Sequence, residues 1–387
     1  MLRRMSPSSK IALGIFCGVI LLYGAAFALL FSLAQSHGAD MATFLAAEDD
    51  ARGYVALART LLETGQFNSP FNGGPEYFST PLYPVFVGGL IEVFDSLATV
   101  ALVQILLLAG SASLLFLLGE RFFSRFAGIG AAILFVLDPT TLIQTLGIYT
   151  EIPFVFLLLS GIYLITHTRS LSNHACIIAG LLFGAMMLVR PIGLYILPLV
   201  VLGMMFISKE TWTKTFRSAA IVLIAALLVA GPWAARNYVV GGSFAISSIG
   251  SYNPLFYNVV LFEAYRRGVG EQEIVKEIST KLGTSLKRDW RSFAYAHKAK
   301  ALTREYLSGH WFEYAWFHLV KTLPFVAGSG WEVTKRQFHN NKIFVSEKKV
   351  IDTNVTGMIL AGKWSDAWNA LRADTSVFIE RLVWVFL

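Results

Sequence analysis

The sequence predicts an all-α polytopic membrane protein, and three observations support that fold class. Of the 387 residues, 55% are hydrophobic and only 15% are charged, whereas a soluble domain carries about 25% charged residues. The apolar residues are gathered in blocks along the chain. The basic residues lie between those blocks, as expected where positive charge is kept on the cytoplasmic side. The length allows about eight to ten spans and one modest extramembrane region.

The predicted spans begin with Ile11 to Ala34, which is longer than the apolar core of a signal peptide and is expected to be retained. Further spans are expected at Ala98–Leu118, Phe126–Leu137, Ile152–Thr166, Ala175–Val189, Ile192–Ile207, Ala219–Trp233 and Trp311–Ala327. The segment Pro81–Phe94 is apolar but short, so it is expected to be interfacial or re-entrant. Asp138-Pro139 is expected to end the third span.

Counting these spans from a cytoplasmic N-terminus predicts the side of each loop. Arg121, Arg125, Arg169 and Lys214 fall on the cytoplasmic side, and Asp49, Asp50, Glu151, Arg190 and Arg236 fall on the outer side. Residues 1–235 are thus expected to form a transmembrane module with an outer loop at 36–97, which contains Asp49 and Asp50. Residues 236–310 are expected to form an outer helical region, with helices at Gln272–Leu282 and Ser292–Leu307. Residues 311–387 are expected to form further transmembrane or interfacial helices, the last of them incomplete.

Several common sites are excluded by the sequence. The net charge of +7 comes without a dense basic run interleaved with aromatic residues, so we predict no nucleic-acid partner. Cys17 and Cys176 lie in apolar stretches and imply no disulfide framework. The segment Gly357–Lys363 resembles a P-loop, but Trp364 stands where that motif requires Ser or Thr.

Ionisable residues at membrane borders are functional candidates, because they are costly to place there. Asp49 and Asp50 open a predicted amphipathic helix, and the alternative interpretation is a helix start that faces water. Glu151 opens a predicted span in the same way. Arg190 and Arg236 stand at outer helix ends, where they either extend toward lipid headgroups or bind a phosphate with the arginine fork.

Five short motifs follow one another along the chain. They are Asp50-Ala51-Arg52-Gly53-Tyr54, Thr80-Pro81-Leu82-Tyr83-Pro84, Tyr149-Thr150-Glu151, Val189-Arg190-Pro191-Ile192-Gly193 and Gly231-Pro232-Trp233-Ala234-Ala235-Arg236-Asn237-Tyr238. In this order they resemble the GT-C membrane glycosyltransferases, in the branch related to protein O-mannosyltransferases and lipid A aminoarabinose transferases. The resemblance implies a GT-C type helical bundle that transfers a sugar, with inversion, from a polyprenyl-phosphate carrier to an acceptor hydroxyl at the outer membrane face.

The resemblance also implies roles for individual residues. The catalytic base of such enzymes is an acidic residue of the first outer loop, four positions before a tyrosine. Asp50 and Tyr54 have that spacing, and Asp49 stays open as the alternative base because the two aspartates are adjacent. Glu151 is expected to be a second catalytic carboxylate across the same cavity. The residues expected at the donor phosphate are Arg190, Arg236, Asn237 and Tyr83.

The predicted partners are the lipid-linked sugar donor, membrane lipids, and a glycan, lipid or protein acceptor. No cofactor is assigned, and a divalent cation is left open. The expected location is a bacterial inner membrane with the active site on its outer face. A transporter or flippase of lipid-linked sugars is the alternative function, although such proteins more often contain two related halves. A non-enzymatic assembly subunit would not account for acids and arginines on one face.

Overall fold

The structure is a computed structural model that describes residues 6–46, 48–71, 73–167, 172–208, 210–284 and 287–326, with short pieces at 364–365 and 368–369. The P-loop-like segment and most of the predicted region 311–387, including its incomplete last helix, lie outside these residues.

The described residues are almost entirely helical. In chain order the α-helices are α1 (Pro7–Ser36), α2 (Met41–Leu45), α3 (Asp49–Thr64), α4 (Leu82–Phe94), α5 (Ala98–Phe122), α6 (Arg125–Leu137), α7 (Pro139–Leu146), α8 (Glu151–His167), α9 (Asn173–Val189), α10 (Gly193–Ile207), α11 (Trp212–Gly241), α12 (Ile249–Asn253), α13 (Val260–Arg267), α14 (Glu271–Leu282), α15 (Phe293–Leu307) and α16 (Trp311–Val326). A π-helical turn, Pro254–Val259, precedes α13, and a 3-10 turn, Lys287–Arg291, precedes α15. Over the same residues the only extended pairing is an isolated bridge between Asn68 and Pro75. The predicted all-α class is confirmed.

Among the residues that the structure describes, three helices, α1, α5 and α11, are long and apolar enough to cross a membrane alone. Helices α6 and α7 meet at a bend of 62° and would form a fourth span together. Four shorter apolar helices, α4, α8, α9 and α10, accompany them. The protein is therefore a polytopic membrane protein, whereas the larger number of spans drawn from length and composition stays a prediction.

The bend between α6 and α7 follows from two adjacent residues. The carboxylate of Asp138 accepts a hydrogen bond from the backbone N–H of Thr141 at 2.7 Å, which caps the start of α7. Pro139 occupies the first position of α7, where its missing N–H has no helical partner to lose. The predicted stop at Asp138-Pro139 is confirmed, although the chain continues into a second helix.

Helices α9 and α11 approach closely because glycines of α9 face the backbone of α11. A Cβ atom at Gly180 would lie 2.5 Å from the carbonyl oxygen of Val222, and one at Gly184 would lie 2.6 Å from that of Ala226. Small residues at such positions let helix backbones pack closely in membranes. This packing fixes the end of α9, at which Arg190 stands.

The chain divides into two compact units, with the described residues up to Ser247 in the first and those from Ser248 onward in the second. The second unit contains the predicted outer helices, which the structure places as α14 and α15. Whether this unit and the other predicted regions lie on the sides of the membrane assigned from charge stays a prediction.

The second unit contains a network of charged side chains around a buried carboxylate. Glu263 is fully buried and accepts hydrogen bonds from Arg266 and Arg267, each with a closest contact of 2.7 Å. Arg267 also contacts Glu277 at 2.7 Å, and the Tyr306 hydroxyl donates to Glu277 at 2.6 Å. A buried carboxylate is tolerated when it is paired in this way. The network therefore joins α13 to α14 and α15.

Candidate active site

Helix α3 carries Asp50 in its first turn, with the side chain exposed. The helix buries a face of small and branched residues that includes Ala51, Val55 and Ala58. It ends where Gly65 adopts a left-handed conformation with φ of +67°, which glycine accepts without strain. The predicted amphipathic helix is thus present, and Asp50 lies one turn before Tyr54 on the same side of it.

Asp49 and Asp50 have different surroundings despite being adjacent. Asp49 accepts a hydrogen bond from Arg52 at 2.5 Å, and both of these side chains are exposed. Asp50 instead stands one turn before Tyr54, and its negative charge raises the pKa of the Tyr54 phenol. The identity of the base stays a prediction.

Tyr54 lies among the predicted carboxylates and Arg190. Burial raises the pKa of Tyr54 to about 12, and the negative charges of Asp50 and Glu151 act in the same direction. The positive charge of Arg190 and a hydrogen bond with Thr150 act in the opposite direction. The phenol therefore stays protonated at neutral pH. The charges of Asp50, Glu151 and Arg190 thus all act on one tyrosine, and Glu151 and Arg190 contact each other directly.

Glu151 and Arg190 form an ion pair between two helix ends. Glu151 begins α8, and Arg190 follows the last residue of α9. Arg190 also donates a hydrogen bond to the Thr150 hydroxyl at 2.9 Å. The Glu151 side chain is 29% exposed and that of Arg190 is 36% exposed. The second carboxylate oxygen of Glu151, Oε2, is buried and has no hydrogen-bond partner within the described part of the chain.

Tyr83 of α4 is buried against Tyr54. The two rings meet edge to face, with their centroids 5.0 Å apart. The Tyr83 hydroxyl donates to the side-chain oxygen of Gln104 at 2.7 Å, and the Gln104 amide in turn donates to the carbonyls of Thr145 and Gly147. Tyr83 therefore packs against the tyrosine of α3 and is itself held by Gln104, and its predicted phosphate contact stays a prediction.

Arg236 of α11 contacts the base of a short hairpin formed by residues 67–71 and 73–76, called here the 67–76 hairpin. The backbone N–H of Glu76 donates to the carbonyl of Phe67 at 3.1 Å, which closes that base. Arg236 donates to the Glu76 carbonyl through Nη1 at 2.9 Å and to the Phe67 carbonyl through Nη2 at 3.1 Å. The guanidinium group therefore bonds to both arms of the hairpin.

Asn237 is fully buried next to Arg236. Its side-chain oxygen accepts a hydrogen bond from Arg236 at 3.0 Å. Its side-chain nitrogen donates to the carbonyls of Ala245 at 2.8 Å and Ile246 at 3.1 Å. The predicted site residues thus fall into two groups, one around Tyr54 and one around the hairpin, and the donor-phosphate roles of Arg236 and Asn237 stay predictions.

Three polar residues near the site were not singled out by the sequence. Thr150 contacts Arg190, Gln104 holds Tyr83, and the hydroxyl of Thr80 donates to the carbonyl of Val189 at 2.9 Å. Gln104 is a polar residue inside an apolar predicted span, which is a signal that could have identified it. Thr80 and Thr150 belong to the recognised motifs, but neither residue is ionisable, and the sequence contains no signal that distinguishes them from other threonines.

Metal ligation was left open by the sequence. Among the residues that the structure describes, no three His, Cys, Asp or Glu side chains lie close enough together to hold an ion. This part of the chain therefore contains no group of three such ligands for a divalent cation.

Part of the chain matches a known protein family. The model of the dolichyl-phosphate-mannose-protein mannosyltransferase family matches residues 79–235, which is less than half of the chain. The matched segment contains Tyr83, Glu151 and Arg190, begins after Asp50 and ends one residue before Arg236. No curated protein and no solved structure matches the chain.

Proposed function

We propose that this chain, a GT-C type membrane glycosyltransferase related to the dolichyl-phosphate-mannose-protein mannosyltransferases, transfers a sugar with inversion from a polyprenyl-phosphate carrier to an acceptor hydroxyl. The observation that carries this proposal is the grouping of Asp50, Glu151 and Arg190 around Tyr54. The reaction requires a base for the acceptor and a cation for the leaving phosphate. These residues supply both.

Asp50 is the proposed general base. The acceptor oxygen attacks the anomeric carbon, and the bond from that carbon to the phosphate oxygen breaks with its electron pair going to the phosphate. The acceptor proton passes to the Asp50 carboxylate. Asp50 stands in the first turn of α3 with its side chain exposed, where an acceptor hydroxyl can reach it. A single displacement needs no covalent enzyme intermediate.

Arg190 is the proposed contact for the donor phosphate. Its guanidinium group stabilises the charge that grows on the leaving phosphate, and its fork can bind two phosphate oxygens. Glu151 and Thr150 fix the orientation of that fork before the donor arrives. The buried Oε2 atom of Glu151 is an acceptor suited to a hydroxyl of the sugar or of the acceptor substrate.

The other residues predicted at the phosphate have different immediate partners. The Tyr83 hydroxyl donates to Gln104, and the Asn237 amide donates to two backbone carbonyls. Arg236 donates to the carbonyls of the 67–76 hairpin. We therefore assign the direct phosphate contact to Arg190 and a supporting role to Tyr83, Asn237 and Arg236.

The proposed site opens at the outer face of a bacterial inner membrane. Asp50, Glu151 and Arg190 follow or precede spans on the side opposite the basic loops, and positive loops mark the cytoplasm. The donor would be a polyprenyl-phosphate-linked sugar in the outer leaflet, and the acceptor a glycan, lipid or protein. Mass spectrometry of the polyprenyl-phosphate sugars that accumulate in a deletion strain would identify the donor.

The proposal is tested by replacing Asp50 with asparagine in the purified protein, reconstituted in lipid nanodiscs. Asp50→Asn keeps the shape and removes the basicity, so turnover should fall about 10²-fold or more, the usual scale for a lost acid–base group. Asp49→Asn is the matched control and should cost much less. Both variants must insert and bind the donor lipid. Wild-type turnover for Asp50→Asn together with an inactive Asp49→Asn would transfer the role to Asp49, and wild-type turnover for both would contradict the glycosyltransferase mechanism.

A further inference from the structure

We infer that Arg236 is a positioning residue that fastens the 67–76 hairpin and thereby fixes helix α3, with Asp50, relative to α4. The inference rests on the proposed function for its kinetic readout. It gives Arg236 a role distinct from that of Arg190, although both arginines were expected at helix ends and at the phosphate. Helix α11 in fact continues past Arg236 to Gly241.

The first support is the geometry of the hydrogen bonds. One nitrogen of Arg236 donates to the carbonyl of Glu76 and the other to the carbonyl of Phe67. These two residues are themselves joined by a backbone hydrogen bond at the base of the hairpin. A planar fork can bond to both arms at once, whereas the single ammonium of a lysine is a point charge on a flexible stem.

The second support is the packing that orients the guanidinium group. It lies over the ring of Trp233, with the central carbon 4.8 Å from the ring centroid, in the geometry of a cation–π contact. The indole N–H of Trp233 donates to the Ile246 carbonyl at 2.9 Å, and Asn237 donates to the same carbonyl. Asn237 also accepts a hydrogen bond from Arg236. The arginine is thus held by neighbours on its own helix.

The third support is what the hairpin connects. It begins three residues after the end of α3 at Thr64, and it is followed by Thr80 and then by α4. Beyond the hairpin, the hydroxyl of Ser247 donates to the carbonyl of Phe78 at 2.5 Å. Thr80 donates to the carbonyl of Val189, the residue before Arg190. The segment from α3 to α4 is therefore anchored at its hairpin by Arg236 and at its end beside the proposed phosphate contact.

A loosened hairpin should affect the chemical step more than donor binding. The reaction rate depends strongly on the position of a catalytic group, since a displacement of about 1 Å can lower the rate about 10²-fold. Arg190 and its partners Glu151 and Thr150 belong to other elements, so donor affinity should be kept. Arg236 therefore acts on kcat through Asp50, while Arg190 acts on the donor KM.

The experiment compares four variants in nanodiscs with a polyprenyl-phosphate sugar as donor. Arg236→Lys and Trp233→Phe should each lower kcat about tenfold while the donor KM stays within about twofold. Arg190→Lys should raise the donor KM instead. Arg217→Lys, at the other, exposed end of the same helix, is the matched control and should behave as wild type. Trp233 itself carries no charge, so a lower kcat with an unchanged donor KM in Trp233→Phe would point to lost support for Arg236 rather than to a lost phosphate contact.

Hydrogen exchange of the hairpin backbone gives a second readout that needs no activity. The amide of Glu76 should exchange at least tenfold faster in Arg236→Lys and Trp233→Phe, because the base of the hairpin opens more often, and should be unchanged in Arg190→Lys. A raised donor KM with unchanged exchange in Arg236→Lys would make Arg236 a phosphate ligand and overturn the inference. If Asp50→Asn and Asp49→Asn were both fully active, the proposed function would fail while the exchange result stood by itself.

Discussion

At the residue scale, the two carboxylate oxygens of Glu151 have different surroundings. One oxygen is paired with Arg190, and the other is buried without a hydrogen-bond partner among the residues described. Glu151→Gln removes the charge but keeps the shape, so Arg190 loses its ionic partner and its fixed orientation. We expect turnover to fall about tenfold, less than for Asp50→Asn.

Steady-state kinetics of purified Glu151→Gln would measure this effect, with Glu63→Gln as the matched control because Glu63 is exposed on α3. Equal turnover in the Glu151 and Glu63 variants would show that the ion pair has no part in catalysis. A loss as large as that of Asp50→Asn would instead make Glu151 the stronger candidate for the base.

Arg190 offers a separate test, because a lysine keeps its charge but not its fork. We expect Arg190→Lys to raise the donor KM about tenfold, which corresponds to about 1.4 kcal/mol of lost binding. The change should be measured with a polyprenyl-phosphate sugar in nanodiscs, over a range of donor concentrations. An unchanged donor KM would indicate that Arg190 contacts lipid headgroups rather than the donor.

Motif spacing could predict which residues carry charge near the site, but not what each of them contacts. Asp50 and Tyr54 are four residues apart on one helix, so their proximity follows from helical geometry alone. The burial of Tyr83 and Asn237 depends on helices that are distant in sequence, and local patterns contain no information about those contacts. Arg236 and Arg190 look alike in sequence, and only the packed structure separates them.

At the element scale, the contact between α9 and α11 depends on two glycines. A methyl group at Gly184 would lie 2.6 Å from the carbonyl oxygen of Ala226, a distance that real contacts essentially never show. We therefore expect Gly184→Ala to destabilise the protein by about 1–3 kcal/mol, as overpacking usually does. Thermal unfolding in detergent would show this as a lower Tm.

The matched control is Gly203→Ala on α10, since a Cβ atom at Gly203 meets no atom within 4 Å. It should leave the Tm unchanged or slightly raised, because alanine favours the helix. If both variants unfolded at the same temperature as wild type, α9 and α11 would have room to separate, and the position of Arg190 would not depend on their contact.

The charged network of the second unit gives an acid-dependent prediction. Hydrogen bonds from Arg267 and Tyr306 lower the pKa of Glu277 from 4.5 to about 2. The ionised carboxylate therefore stabilises the fold above pH 4.5, and that contribution is lost as the pH falls through about 2. Lys281 and Glu305 are the other charged groups that take part.

Glu277→Gln should consequently lower the Tm at neutral pH, and its difference from wild type should shrink as the pH falls from 4.5 towards 2. Thermal unfolding followed by circular dichroism at several pH values would measure the difference. A constant Tm difference across this range would mean that the carboxylate charge is not what stabilises the contact between α13 and α14.

Helix boundaries were predictable where capping residues mark them. Asp138-Pro139 marks the break between α6 and α7, and Gly65 marks the end of α3. The attachment of the 67–76 hairpin was not predictable, because both arms of its base accept hydrogen bonds from Arg236, which lies on a helix about 160 residues further along the chain. The close contact of α9 with α11 has a local signal in α9, which is two glycines four residues apart. That signal does not indicate which helix α9 packs against.

At the scale of the whole molecule, composition determines the class of protein but not the number of spans. Apolar blocks separated by basic loops indicate a polytopic membrane protein with any fold. The number of crossings depends on whether helices such as α8, of 17 residues, and α10, of 15 residues, cross the bilayer. A helix of about 20 residues is needed to span the apolar core without tilting or thinning of the bilayer, so length alone does not decide these cases.

The side of the membrane on which the second unit lies can be tested by cysteine labelling in intact cells. Counting spans from a cytoplasmic N-terminus places position 270 outside and position 214 inside. The endogenous cysteines, Cys17 and Cys176, are first replaced. Gly270 precedes α14 and is exposed, with room for a Cβ atom, so Gly270→Cys should fold normally. Lys214→Cys is the matched control, because Lys214 is also exposed.

An impermeant maleimide should label position 270 in intact cells and position 214 only after lysis. Labelling of position 270 only after lysis would reverse the predicted topology and remove the outer-face site with it, since the same count places Asp50, Glu151 and Arg190 on that side. Labelling of both positions in intact cells would mean that α11, which contains the predicted span between them, does not cross the membrane.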